Sequence, residues 1–138
     1  MTGSASDYLE LKLLEHVTGK TSYTKPTAYI ALLTAEPDDT STGATITEPS
    51  ASYAYARITT SGSSWGTATG GSISNAAILT SATASGGDWG TITHFALLDS
   101  ATLGAGNVLV WGELTTPKTV NSGDSLSFAI GAIVITLD

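Results

Sequence analysis

From Ala28 onward the chain never sustains a helical period. Its apolar residues come in short runs, such as AYIALLT at 28–34 and VLVWGEL at 108–114, each stopped within a few residues by Gly, Ser, Asn or Pro. Runs of this length, rich in β-branched and aromatic residues and bounded by turn formers, mark strands. The pattern predicts strands at 28–34, 53–59, 72–79, 91–98, 108–114, 125–130 and 132–137. About seven short strands with no helix among them argue for a mainly β fold, an antiparallel β-sandwich. The phrases TVNSGD at 119–124 and TLGAGN at 102–107 carry the residues that chain reversal needs. The last strand runs to Asp138, which would hold the chain end in the sheet.

One segment ahead of Lys25-Pro26 differs. Residues 7–18, DYLELKLLEHVT, have Ser6 or Asp7 as N-cap, acids in the first turns and Gly19 as a stop, which predicts the single N-terminal α-helix. On a 3.6-residue wheel Leu9, Leu13, Leu14 and Val17 form one stripe, while Tyr8 and Leu11 point elsewhere. Either the helix is folded tightly against its own sheet, or one face packs on the domain and Tyr8 and Leu11 meet a neighbour. With 138 residues and 41% hydrophobic composition, the chain fits one domain, 1–138, with helix 7–18 packed on a sandwich at 27–138. A chain of that length buries about two thirds of its unfolded surface.

Composition removes whole classes of function. Cysteine is absent, so disulfide frameworks, thiolate zinc sites and cysteine nucleophiles are excluded. Twelve acids against five bases give a formal charge of −7, which repels a phosphate backbone and an anionic membrane alike, so neither nucleic acid nor membrane is an expected partner. No apolar run reaches the length of about 18 residues that a membrane helix needs, and MTGSASDYLEL lacks the regions of a secretory leader.

The richest candidate for chemistry is GDWGTITHFALLD at 87–99, where His94 stands between Asp88 and Asp99. With a period of two, Ile92, His94, Ala96 and Leu98 share one face of a strand, so His94 sits in an apolar row. Asp88 lies beside turn glycines, and Asp99 precedes Ser100-Ala101, where an aspartate bonds its own turn backbone. No GxSxG elbow accompanies the histidine, and His16 is on the distant helix with no HxH or HExxH spacing. The stretch therefore reads as a strand carrying a buried histidine; no catalytic residue, metal or cofactor is assigned, and no enzyme is expected.

Two other features offer contacts rather than chemistry. The longest irregular piece, 35–52, holds Glu36, Asp38, Asp39 and Glu48 with no base nearby in sequence; DDTSTGAT lacks the ligand alternation of an EF-hand, so a solvated acidic loop is the expected reading. The phrase WGTAT at 65–69 is echoed by WGTIT at 89–93, and Trp65, in the looser context, is the candidate for an exposed anchor or sugar platform, the bland reading being a hydrophobic lid.

Against these residues a resemblance can be set. The opening SDYLELKLLEHVTGKTSYTKPTAYIALLTAEP, the central YARI, the phrase WGTITHFALLDSATLGAGNVLVWGELTTPKTV and the ending NSGDSLSFAIGAIVITLD together resemble a family of small tailed-bacteriophage virion proteins, often labelled tail-fibre or tail-fibre-adaptor proteins. Residues 60–84 depart most from that pattern. The resemblance implies a non-catalytic structural component of the virion, made in the host cytoplasm, that contacts tail, fibre or major capsid subunits as a homo-oligomer or symmetric array. Within it, a tail-fibre adaptor and a capsid decoration protein remain alternatives. A carbohydrate-binding module using Trp65, Trp89, Tyr53 and Tyr55 is a third reading. The candidate interface residues are Tyr8, Leu11, Glu36, Asp38, Asp39 and Trp65.

Overall fold

A computed structural model of the protein describes residues 1–137; the chain end at Asp138, expected in the last strand, lies outside them. The fold is mainly β with one helix, as the patterning predicts. In chain order the elements are β1 (Thr2–Ala5), α1 (Asp7–Val17), β2 (Tyr29–Leu33), β3 (Ile58–Thr59), β4 (Ser72–Ser74), β5 (Leu79–Thr80), β6 (Gly90–Leu98), β7 (Val108–Val120), β8 (Ser127–Phe128) and β9 (Val134–Thr136). The expected two-layer sandwich is replaced by one continuous, curled sheet of seven strands in the order β3-β2-β6-β7-β1-β9-β4, with β5 and β8 forming a separate pair. It is not wholly antiparallel either, because β1 runs parallel to β9.

Strand β1 is the joint. Its second half pairs with β7, Ser4 opposite Trp111, and its first half with β9, Gly3 opposite Ile135, so four residues connect the two halves of the sheet. Glycine makes that crossing possible. A Cβ on Gly3 would lie 2.6 Å from Val110 Cγ1, and one on Gly112 would lie 2.8 Å from Phe95 Cε1, so the fully buried Phe95 ring occupies space that two neighbouring strands leave open.

The helix forms where its caps place it. Ser6 Oγ accepts the Leu9 amide at 3.3 Å and donates to the Val108 carbonyl, capping α1 while fastening it to β7. At the other end Gly19, with φ +76, donates to His16 O at 3.1 Å and Lys20 to Glu15 O at 2.9 Å, the paired bonds of a Schellman stop.

Strands β2 and β6 are buried on both faces, which explains their nearly continuous apolar text. Ile30, Leu32, Phe95, Leu97 and Val110 belong to the main core; Ala31, Leu33, Ala96, Leu98 and Val108 form a second, smaller core with Ile46 and Trp111 packed against it. A register shift between Ile92 and His94 moves Ile92 to the main-core face, away from the row predicted for it.

The second core is covered by the segment that the sequence presents as a solvated loop. It is stitched down at Thr34 N to Thr47 O (3.0 Å) and Gly43 N to Gly106 O (2.9 Å), and Gly43 passes so close to the Ala105 carbonyl that no side chain fits. Glu48, expected to lack a base, is clamped by Arg57: Nε reaches Oε1 at 3.0 Å and Nη2 reaches Oε2 at 2.8 Å, with both side chains buried. Arg57 Nη1 also donates to the carbonyls of Ser100 (2.7 Å) and Ala105 (2.9 Å), which fixes the β6–β7 loop. Tyr55 completes the cluster. Its hydroxyl donates to Glu48 Oε1 at 2.7 Å and accepts the buried Leu32 amide at 2.9 Å, beyond the point where β3 pairs with β2.

Several predicted strands are trimmed for identifiable reasons. The run 53–59 keeps strand geometry at Ile58–Thr59, because Ala51–Tyr53 is a 3-10 turn and Ala54 is left-handed at φ +62. Asn75 splits 72–79 by bonding out of the ladder to Ala77 O, Ala129 O and Ile133 N. Strand β7 instead outruns its prediction. Pro117 is tolerated because residues 114–117 lie in an irregularity between the paired Glu113 and Lys118.

Replacing Arg57 with Met should cost about 3–5 kcal/mol in urea unfolding, because Glu48 is left as an unpaired buried charge, and adding Glu48→Gln should restore part of the loss. Burial, reinforced by the Glu48 carboxylate, raises the Tyr55 phenol above its ordinary value. Its folded pKa thus exceeds the unfolded one, so this contribution is intact below about pH 10 and is lost as pH rises beyond it. Tyr55→Phe should be less stable at neutral pH yet show a flatter alkaline limb.

Candidate functional site

Helix α1 does not bury the stripe that its wheel suggests. Tyr8 and Leu9 are the residues packed, half-buried, against the main core. Leu11, Leu14 and Val17 are 63%, 60% and 75% exposed, an apolar face that none of the described residues covers. Part of the expected main stripe is therefore the outer face. Ser6 ties the first turn to β7, and burial fades along the helix from there.

Beside that face runs a groove of about 690 Å³ between α1 and the sheet, lined by Leu13, Leu14, Val17, Trp111 and Leu137 with Glu10 and Asp39 on its polar side. Trp111 is the residue that sequence reasoning missed. It stands mid-strand in VLVWGEL, on the β7 face that carries the second core, half-exposed, and its Nε1 donates to Asp39 Oδ1 at 2.9 Å. On the other side of Trp111 a second cleft of about 640 Å³ holds Glu36, Asp38 and Asp39. The three acids predicted as contacts are thus brought together and exposed. Asp38 is organised locally: the Thr40 hydroxyl at 2.8 Å and the Ser41 hydroxyl at 3.0 Å hold its carboxyl below the ordinary aspartate value.

The aromatic candidates do not converge on a sugar platform. Trp65 is half-buried against the main core and donates to Thr60 Oγ1 at 3.3 Å. Trp89 is buried, meets Tyr55 edge-on with ring centres 5.2 Å apart and donates to Tyr53 O at 2.8 Å. The WGTAT and WGTIT echo also divides: the second copy leads into β6, the first into an irregular turn.

His94 is buried in β6 with Nδ1 2.9 Å from Thr93 Oγ1 and its ring centre 6.3 Å from that of Trp111. Asp88 accepts the Ser122 amide at 2.8 Å, and Asp99 accepts the backbone amide of Asn107 at 2.7 Å and its side-chain amide at 2.9 Å. Contrary to what the sequence suggests, neither acid bonds the turn backbone beside it: Asp88 reaches the turn after β7, and Asp99 the far end of the β6–β7 loop.

A family model described as podophage GP4 fiber I protein gp80 matches residues 4–136. No curated protein matches the chain.

With His94 buried between Leu33 and Glu113 of the neighbouring strands and bonded to Thr93, His94→Gln is expected to lower unfolding stability by about 1–3 kcal/mol, the scale of a buried hydrogen bond. A hydrolytic activity that vanished in this variant at unchanged melting temperature would contradict that reading.

Proposed function

The chain belongs to the podophage fiber I protein gp80 family, and from that premise we propose that it is a non-catalytic external accessory subunit of the tail-fibre-adaptor type. It is made in the host cytoplasm and incorporated beside other virion proteins as a homo-oligomer or symmetric array. One observation carries the reading: α1 is rigidly capped at both ends, yet its outward side is Leu11, Leu14 and Val17. A soluble surface gains nothing from three aliphatic side chains on one helix face, whereas a particle assembled through many modest interfaces does. The Glu36, Asp38 and Asp39 cluster lies on the far side of Trp111 and extends the contact area. The glycan-binding alternative has less support, because Trp65, Trp89 and Tyr55 are engaged with their own neighbours.

Quantitative mass spectrometry of purified particles tests the assignment. An adaptor should be present at a fixed small-ring stoichiometry per tail, whereas a decoration protein should scale with the major capsid subunit; absence from particles would remove the virion role altogether. Leu11→Ser, at an exposed position, should leave stability within about 0.5 kcal/mol of the parent while lowering incorporation.

A further inference from the structure

Three cavities meet at Asp39: the groove beside α1, the cleft behind Trp111, and a smaller hollow that includes Asp7. Their combined lining holds five acids, Asp7, Glu10, Glu36, Asp38 and Asp39, and among the described residues no Lys, Arg or His. The lysines of α1 and its stop are engaged elsewhere. Lys12 and Lys20 both reach Glu15, at 3.9 and 4.0 Å, and Lys12 also lies over the Tyr8 ring. Arg57 is buried with Glu48. The surface around Trp111 is therefore an aliphatic strip with a one-sign acidic border.

Resting on the virion assignment above, we infer that this groove is the docking site for a Lys- or Arg-bearing, apolar-anchored segment of a different virion protein. Its aliphatic side chains lie along Leu14, Val17 and Leu137, with Trp111 as the central anchor, and its cations face Glu10 and Asp39. Charge selects the occupant. A second copy packed here about a two-fold axis would bring the same five acids face to face, which like-charge juxtaposition penalises. Contacts between copies therefore belong to other surfaces, for instance the exposed Ile78 and Ile130. The groove volume is in the range of sites that enclose a compact ligand, and tryptophan is among the residues enriched at interface hot spots.

The full chain can be titrated with two synthetic helical peptides of equal length, one of Leu and Lys, the other with every Lys replaced by Glu, followed by tryptophan emission and by anisotropy of the labelled peptide. The Lys peptide should bind saturably and the Glu peptide should not. Affinity should fall by about ten-fold as ionic strength rises from about 0.01 M to about 0.15 M. Trp111→Phe should remove the emission change, and Leu14→Glu, at an exposed position that leaves the melting temperature unaltered, should weaken binding by about ten-fold or more. Equal binding of the two peptides, or indifference to Leu14→Glu, would overturn the inference. So would a dimer in sedimentation that Leu14→Glu dissociates, since it would give the face to a second copy. Incorporation into particles separates the two levels of the argument. If the parent protein enters particles and Leu14→Glu enters equally well, the groove assignment fails and the virion assignment stands. If the parent is absent from particles, the virion assignment fails whatever the peptides do.

Discussion

The Glu48–Arg57 ion pair, with Tyr55 bonded to it, is the interaction on which the rest of this structure depends. It links the cover of the second core, the approach to β3 and the loop between β6 and β7, three segments with little regular hydrogen bonding of their own. A buried ion pair is a poor source of net stability compared with apolar packing, but it is intolerant of misplacement. Here that intolerance sets geometry. With Arg57 committed to two carboxylate oxygens and two carbonyls, the path of residues 34–57, which packs Ile46 on the second core beside Trp111, is fixed, and the acids at 36–39 are presented on one side of a rigid wall.

What was legible in the sequence was what local chemistry decides. The helix ends were readable because Ser6 and Gly19 act on neighbours a few residues away, and β2 and β6 were readable because two-sided burial leaves an unbroken apolar text. Strand β1 was not, since Gly3 matters for the side chain it lacks and the reason lies on Phe95 and Val110, far along the chain. The alternation in YAYARIT looks like a strand but encodes a hub: Tyr55 and Arg57 point into the same cluster from a chain bent at Ala54.

The candidate site was legible only in pieces for the same reason. The acids Glu36, Asp38 and Asp39 and the exposed Leu11 could be singled out by composition, but the packing of Tyr8 against the main core could not, because the wheel carries no information about where the helix is fastened. Glu48 looked unpaired because its base lies nine positions on, across a turn. Trp111 was concealed by an ordinary strand pattern; its importance comes from standing where α1, β7 and the 34–47 cover meet, a place defined by no contiguous stretch of chain.

The position of β1 also sets an order of events at the ribosome. The amino group of Met1 bonds the Ala132 carbonyl, 131 positions away, and Gly3 pairs with Ile135, so the first strand has one partner once β7 has emerged and its second only after β9 has done so. Chain closure over such separations makes folding slow relative to local helix formation. Until the sheet is complete, α1 can wind but has no finished surface on which to pack Tyr8 and Leu9. In this architecture the join between the two halves of the sheet waits for β9.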